Sequence, residues 1–257
     1  MNDSQTRDTP VYGIHSVEEL LAVRRQDIEH VYFDKDKKSA ALFALIRACR
    51  KERLSYNMVP EIKLNFLSSN ANHEGVVAFC SVRPYNSTRD LDKIIEEKTA
   101  PLFVVAASIE DPMNLGAIIR SCVCLGADAL LLERKNTVPL NASVSRSSAG
   151  MIEKLCIVKP RNLEGVIGEY IEKGFSVIGA TVENGISPME NDFTRPTVLV
   201  TGGEHRGIPP YLQKLCTQNV SIPMTRGAHS LNASVSAALL LYECMRQRTL
   251  SPASAPR

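Results

Sequence analysis

Two nearly continuous apolar runs, PLFVVAA (101–107) and PTVLVTGG (196–203), constrain the fold of this chain more than any other feature. A strand with almost no polar side chains must be buried on both faces of its sheet. Further strand patterns lie at residues 129–132, 155–158, 176–181 and 220–222, and they alternate with helical patterns at 113–125, 144–148, 163–173, 209–215 and 233–246. This alternation predicts a mostly parallel α/β sheet.

A smaller α/β unit precedes this sheet. Its strand patterns at residues 31–34, 55–59 and 75–82 alternate with helical patterns at 16–23, 39–51 and 61–67, and Ser16 and Glu19 match a capping box for the first helix. The charged, proline-bracketed residues 84–100 are typical of a linker that carries one short helix. We therefore predict domains at residues 1–83 and 101–250, a linker at 84–100 and a tail at 251–257.

The composition narrows the class of protein. A hydrophobic fraction of 44% supports a real core, and a net charge of +2 means that any nucleic-acid-binding surface must be local. The seven cysteines are odd in number, lie mostly in apolar runs and include no C-x-x-C pair, which predicts a reducing compartment and no metal site. Neither a signal peptide nor an apolar run of membrane-spanning length is present, so we expect a soluble, cytoplasmic protein without membrane contact.

Ligands of open parallel sheets bind beyond the carboxyl ends of the strands, so the loops there are the candidate site. In the loop after residue 107, Asp111 and Pro112 are typical of a helix start. Arg120 is the one charged residue between Met113 and Ala127, on a helix whose apolar composition predicts burial. Its guanidinium either pairs with a core carboxylate or is presented to a phosphate or other anion.

Two more polar stretches follow later strands. The loop VTGGEHRG carries glycines at G-G-x-x-x-G spacing, which does not match a dinucleotide fingerprint or a P-loop. Glu204 in this loop is a solvated residue, a partner of Arg120 or a ligand for a hydroxyl group. In RGAHSLNAS, Ser230 and Asn232 either cap the last helix or direct a hydroxyl and an amide into a pocket.

Taken together, three ordered motifs resemble the SpoU (TrmH-like) RNA 2'-O-methyltransferases. NLGAIIRSCVCLGA is similar to motif 1, VTGGEHRGIPP to motif 2 and VSIPMTRGAHSLNASVSAALLLYE to motif 3, although His205 follows Glu204 where motif 2 commonly has glycine. SRSSAGMIEKLCIV resembles the family's connecting segment. The front unit resembles the ribosomal-protein-like RNA-binding domain of the branch that methylates 23S rRNA guanosine.

The resemblance implies a deep trefoil knot that holds S-adenosyl-methionine, and a homodimer whose site borrows residues across its interface. It implies cofactor contacts near Thr181, Gly202, Ile222 and Leu231. The catalytic positions that it implies are Asn114, Arg120, Glu204, Ser230 and Asn232. The expected reaction is methyl transfer to a ribose 2'-oxygen in RNA, with a guanosine of 23S rRNA as the leading target.

Several points stay open at this level. A phosphate oxygen, a water or Glu204 could accept the hydroxyl proton, because the guanidinium of Arg120 stays protonated. Residues 34–53 carry seven Lys and Arg against three acids, which fits either a phosphate-binding face or a solvated helix. The alternative functions are methylation of tRNA or another rRNA nucleotide, and a non-catalytic RNA-binding ribosome-assembly factor. A dinucleotide oxidoreductase is disfavoured by the glycine spacing.

Overall fold

The computed structural model describes residues 9–81, 83–225 and 230–250, which form two compact units. The first unit contains the chain up to Pro84 together with residues 140–154. The second contains residues 85–139 and the chain from Leu155 onward. The predicted tail at residues 251–257 lies outside the described residues.

A four-stranded sheet with the order β1-β4-β2-β3 forms the centre of the first unit, as far as the described residues go. Its strands are β1 (Thr9–Tyr12), β2 (Ile28–Asp34), β3 (Tyr56–Val59) and β4 (Val76–Cys80). Strand β2 pairs parallel with β3 and antiparallel with β4, and β1 pairs antiparallel with β4. The helices before residue 84 are α1 (Ile14–Val23), α2 (Ala40–Lys51) and α3 (Glu61–Leu67), and a short 3-10 helix spans Arg25–Asp27.

Helix α1 shows where the predicted capping box is wrong. The helix begins after Gly13, which has a φ of 93°, so Ser16 lies inside the first turn instead of at the cap. The Ser16 side chain is fully buried, and its hydroxyl donates a hydrogen bond to the carbonyl oxygen of Ser145 at 3.2 Å. The Ser16 hydroxyl, which the local sequence pattern assigned to helix capping, therefore makes a tertiary contact with Ser145.

Residues 140–154, which lie within the range predicted for the second domain, pack in the first unit. They form α6 (Ala142–Ser147) and a 3-10 helix at Met151–Lys154. Ion pairs join them to residues before Pro84; among these, the Arg146 guanidinium lies 2.6 Å from Glu74, and the Lys154 amine lies 2.7 Å from Glu19. The first unit is thus built from two separate stretches of the chain.

The described part of the second unit has a six-stranded sheet in which all neighbouring strands are parallel, as the sequence predicted. The order is β10-β8-β9-β5-β6-β7, with β5 (Leu102–Ala107), β6 (Ala129–Leu132), β7 (Cys156–Val158), β8 (Ser176–Ala180), β9 (Thr197–Gly202) and β10 (Gln218–Val220). Its helices are α4 (Thr88–Glu97), α5 (Pro112–Cys124), α7 (Leu163–Glu172), α8 (Pro210–Gln213) and α9 (Ala233–Leu250), and a 3-10 helix spans Pro188–Glu190.

The core of this unit explains the apolar runs. Every residue of β5 is buried, and Phe103 stacks on Phe175 with ring centroids 5.5 Å apart, while Tyr170 stacks on Phe175 at 5.2 Å. Full burial of an aliphatic or aromatic side chain contributes about 1.5–3 kcal/mol relative to exposure. The residues predicted as a linker belong to this packing too, because Leu91 of α4 is fully buried in the same cluster.

Candidate active site

The carboxyl ends of β8, β9 and β10 open into one cleft. Thr181 follows β8, Gly202 ends β9, Ile222 lies two residues after β10, and Leu231 precedes α9. All four of these predicted cofactor positions line the cleft, which encloses about 700 Å³ of empty space including its open mouth. The strand ends therefore gather the four positions at one concave surface.

The floor of the cleft is backbone packed against backbone. A Cβ atom at Gly202 would lie 2.1 Å from the carbonyl carbon of Gly207, and one at Gly203 would lie 2.0 Å from the carbonyl oxygen of Ser108. The loop closes through a 2.8 Å hydrogen bond from the Gly207 amide to the Gly203 carbonyl. Gly207 has a φ of 59°, in the left-handed region that favours glycine. Gly202 and Gly203 are thus required by the close approach of other backbone, and Gly207 by its own backbone conformation.

Three predicted catalytic side chains meet beside the cleft. The Asn114 amide donates to a Glu204 carboxylate oxygen at 3.3 Å, and the Asn232 amide donates to the Asn114 side-chain oxygen at 3.0 Å. Asn232 also donates to the same Glu204 oxygen. Because two amides converge on one carboxylate, Glu204 is held in a defined orientation although the residue is exposed.

Asn232 serves two roles at once. Its side-chain oxygen accepts from the backbone amide of Ser234 at 2.9 Å and from the Ser234 hydroxyl at 2.6 Å. Its backbone oxygen accepts the Ser236 amide at 2.9 Å, the first bond of α9. Asn232 therefore caps α9 with its oxygen, which is one of the two alternatives raised by the sequence, and contacts Glu204 with its nitrogen.

Asn114 is positioned by the start of α5. The Asp111 side chain accepts a hydrogen bond from the Met113 amide at 2.9 Å, and Pro112 occupies the first helical position. This confirms the predicted helix start. Asn114 consequently lies in the first turn, at the carboxyl end of β5 and next to Glu204.

Arg120 stands apart from this cluster. It lies six residues after Asn114 on α5, and at about 100° per residue it points to a different side of the helix. The residue is exposed, and among the described residues it has no hydrogen-bond or ion-pair partner. One of the two alternatives for Arg120, pairing with a core carboxylate, is therefore not found among the described residues, because one side of α5 is open: Leu115, Ile118 and Ile119 are buried, but Met113 and Arg120 are not.

Ser230 is exposed and lines the same cleft as Glu204 and Leu231. Residues 226–229 of the third motif lie outside the described residues. The structure thus brings Asn114, Glu204 and Asn232 into contact and places Ser230 at the adjoining cleft.

A supporting network was not predicted. Ser108, with a φ of 56°, donates to one Glu133 carboxylate oxygen from its amide at 3.0 Å and from its hydroxyl at 3.2 Å. The Tyr211 hydroxyl donates to the other Glu133 oxygen at 3.0 Å. Burial, followed by the hydrogen bond to Glu133, raises the pKa of Tyr211. Because the Ser108 carbonyl contacts Gly203, this network fixes the backbone before Glu204. The sequence signal for the network was Glu133, a carboxylate directly after the apolar run ALLL.

No group of three or more potential metal ligands occurs among the residues that the structure describes. A search of the same residues for a helix long and apolar enough to cross a membrane found none.

Comparisons with known proteins agree with this geometry. A model of the SpoU rRNA Methylase family matches residues 101–242, and one for RNA 2'-O ribose methyltransferase substrate binding matches residues 10–86. A Staphylococcus aureus protein assigned to the TrmH family of tRNA/rRNA methyltransferases is 30% identical over 94% of this chain and 97% of its own length.

Two further relatives carry more specific names. The 23S rRNA (guanosine-2'-O-)-methyltransferase RlmB of Acinetobacter baylyi is 30% identical over 92% of this chain and 96% of its own. The crystal structure of the methyltransferase AviRb from Streptomyces viridochromogenes, in complex with AdoMet, superposes with a TM-score of 0.77 at 26% identity. That match covers 95% of this chain and 91% of AviRb.

Proposed function

The chain belongs to the SpoU rRNA methylase family, and from that membership we propose that it transfers the methyl group of S-adenosyl-methionine to the ribose 2'-oxygen of a guanosine in 23S rRNA. The observation that carries the proposal is the contact of Asn114, Glu204 and Asn232 beside the cleft at the ends of β8, β9 and β10. Full-length similarity to a 23S rRNA guanosine enzyme supports the choice of target.

The cleft fits the cofactor. Gly202 ends β9 at the floor of the cleft, while Ile222, Leu231 and Leu240 supply an apolar wall. The Thr181 hydroxyl lies 3.3 Å from the Ser221 hydroxyl, so polar groups flank the apolar wall. Thr181, Gly202, Ile222 and Leu231 would hold S-adenosyl-methionine, which supplies an activated methyl group on a sulfonium. No metal is needed in this scheme, because the leaving group is already activated.

The protein's own task is to align the ribose and to handle its proton. Glu204 is oriented by the amides of Asn114 and Asn232, so it is placed to accept a hydrogen bond from a ribose hydroxyl. Ser230 adds a hydroxyl at the cleft. Arg120 remains charged and supplies a planar fork of donors for a phosphate or for the developing alkoxide. The proton then passes to Glu204, a water or a phosphate oxygen.

An exposed apolar surface supports a homodimer. Val235, Leu239 and Tyr242 follow an i, i+4, i+7 pattern on α9 and are 46%, 46% and 53% exposed. Helix α9 packs against α5, whose Met113 is 60% exposed. A stripe of this kind is typical of a protein–protein interface. In the proposed dimer, Arg120 of one subunit completes the site formed by Asn114, Glu204 and Asn232 of the other.

Mixing two inactive variants tests the shared site. Arg120→Ala and Glu204→Ala, co-refolded in equal amounts, should recover about a quarter of wild-type methyl transfer, because half of the dimers are mixed and each mixed dimer has one intact site. Leu239→Glu should lower the molecular mass measured by light scattering to that of one chain. Absence of any recovery in the mixture, with the dimer mass intact, would show that each site is complete within one subunit.

The proposal also includes a knotted second unit, an RNA-binding first unit and a cytoplasmic site of action. We place a deep trefoil knot in the second unit, supported by the likeness to AviRb. The first unit would bind RNA, since the seven cations of residues 34–53 (Lys35, Lys37, Lys38, Arg47, Arg50, Lys51 and Arg53) are all exposed. The site of action would be the cytoplasm, where rRNA is processed.

Two measurements test the function. Calorimetric titration should show binding of S-adenosyl-methionine and none of NAD. Mapping of 2'-O-methylation in a strain that lacks the protein should reveal one missing guanosine mark in 23S rRNA. A missing mark in tRNA would instead support the tRNA alternative, and an unchanged methylation map would support a non-catalytic RNA-binding role.

A further inference from the structure

The six parallel strands place three features in a row along one edge of the second unit. The cofactor cleft lies at the ends of β10, β8 and β9, and the Asn114–Glu204–Asn232 cluster lies at the ends of β9 and β5. The next two ends along the sheet are those of β6 and β7. Because neighbouring strands are about 4.8 Å apart, the end of β7 lies roughly 10 Å from that of β5.

A second, shallow cleft, with about 860 Å³ of empty space including its open mouth, lies at these two ends. Arg134 and Lys135 follow β6, and Arg161 lies shortly after β7. All three are exposed, and among the described residues none has a hydrogen-bond or ion-pair partner. Cations without partners around a concave surface are available to an anionic ligand.

A fourth cation and an aromatic ring lie near this cleft. Lys159 follows β7, and its amine lies 5.7 Å from the centre of the Tyr85 ring. Burial and then the positive charge of Arg134 lower the pKa of Lys159, so these two cations share one positive potential. An aromatic ring beside cations is a combination that binds single-stranded nucleic acid by stacking and by charge.

The two carboxylates at the cleft do not cancel this charge. Glu133 is buried, and its oxygens accept hydrogen bonds from Ser108 and Tyr211. Glu164 lies at the second position of α7, where the positive end of the helix dipole offsets its charge. The three exposed cations Arg134, Lys135 and Arg161 therefore outnumber the single exposed carboxylate of Glu164, and the cleft has a net positive charge.

We propose that Arg134, Lys135 and Arg161 bind backbone phosphates of the substrate RNA, in nucleotides that flank the reacting ribose. The inference rests on the proposed RNA methylation and adds a substrate-binding site on the catalytic unit itself. The methyl donor then lies on one side of the catalytic cluster and the RNA backbone is held on the other. This order keeps the reacting ribose over Glu204.

The salt dependence of RNA binding tests the site. The variants are Arg134→Gln/Lys135→Gln and Arg161→Gln; the matched control is Lys214→Gln, an exposed lysine of the same unit outside the cleft. Binding of in vitro transcribed, unmodified 23S rRNA is measured by filter retention between 50 and 200 mM salt, alongside steady-state methylation. Each lost phosphate contact should lower the slope of log affinity against log salt by about 0.7–1.

For Arg134→Gln/Lys135→Gln, the magnitude of the slope of log affinity against log salt should therefore decrease by about 1.4–2. KM for RNA should rise about 10-fold or more, whereas kcat and the affinity for S-adenosyl-methionine should be retained. The Arg134→Lys/Lys135→Arg variant, which keeps the charge, should retain most of the affinity for RNA. If the two residues had a purely structural role, the affinity for RNA would not depend on their charge. Lys214→Gln should resemble wild type.

Three results would overturn the proposal. A wild-type slope and KM in both cleft variants, with wild-type enzyme active, would remove the cleft from RNA binding and leave the methyltransferase function standing. Loss of inorganic phosphate binding with an unchanged RNA slope would make the cleft a small-anion site. Failure of wild-type protein to bind or methylate any RNA would overturn the proposed function as well.

Discussion

Replacement of Asn232 separates the structural from the chemical role of the residue. The Asn232 oxygen caps α9 through the Ser234 amide at 2.9 Å, and its nitrogen contacts Asn114 at 3.0 Å as well as Glu204. Serine caps helices about as well as asparagine but has no amide to donate, whereas alanine does neither. Asn232→Ser should thus retain the cap of α9 and lose the hydrogen bond to Glu204. Asn232→Ala should lose the cap and the hydrogen bond.

The expected sizes follow from these contacts. Loss of a cap costs about 1 kcal/mol, which lowers the unfolding midpoint by roughly 2–4 °C in a chain of 150–250 residues. A hydrogen bond to a charged group contributes about 1.5–3 kcal/mol, which corresponds to a loss of about 10- to 150-fold in kcat/KM. Asn232→Ser should therefore unfold near the wild-type temperature but turn over at least 10-fold more slowly.

Thermal unfolding by circular dichroism and steady-state methylation measure the two effects. Asn141→Ala is the matched control, because the Asn141 oxygen caps α6 through the Val144 amide at 3.0 Å and lies outside the site. It should lower the midpoint like Asn232→Ala and leave kcat/KM unchanged. Wild-type turnover by Asn232→Ser would refute the argument that the amide orients Glu204.

Three further predictions concern packing, pH and the charge of Arg120. Gly203→Ala should lower stability by about 1–3 kcal/mol, because its Cβ would meet the Ser108 carbonyl at 2.0 Å, whereas Gly168→Ala, in an open helical position, should raise it by about 0.5–1 kcal/mol in urea unfolding. Hydrogen bonds from Arg246 lower the pKa of Glu243, so this ion pair stabilises the fold above pH 4.5 and the contribution is lost as pH falls below that value. Glu243→Gln, but not the exposed Glu172→Gln, should therefore weaken the acid sensitivity of the unfolding midpoint between pH 5 and about pH 3. Arg120→Lys keeps the charge but loses the planar fork, so kcat should fall at least about 10-fold; near-wild-type turnover would exclude a bidentate grip.

The sequence predicted features that depend on neighbouring residues. Strand β5 (Leu102–Ala107) lies within the apolar run at residues 101–107, because a run of apolar residues with no polar interruption can occupy only the centre of the sheet. Asp111 and Pro112 start α5 as predicted, since capping is decided within one turn of chain. Thr181 and Gly202 meet at one cleft because the carboxyl ends of parallel strands lie along one edge.

Features that depend on distant residues were missed. The helical segment 88–97 has a strongly charged sequence, and the burial of Leu91 results from packing on the core of the second unit. The Ser108–Glu133–Tyr211 network joins the residues that follow β5 and β6 to helix α8, and no local sequence pattern predicts it. For Arg120, the apolar composition of α5 predicted burial, but composition does not tell which side of a helix another element covers.

The division of the first unit into two stretches has a consequence for synthesis on the ribosome. When residue 84 has emerged, the nascent unit still lacks α6 and Glu153, the partner of Arg24 at 3.3 Å. At about 5–20 residues per second, residue 154 follows roughly 4–14 s later, after α4, β5, α5 and β6 of the second unit. Each unit is thus incomplete until part of the other has been translated, and the two must mature as an interleaved pair on the growing chain.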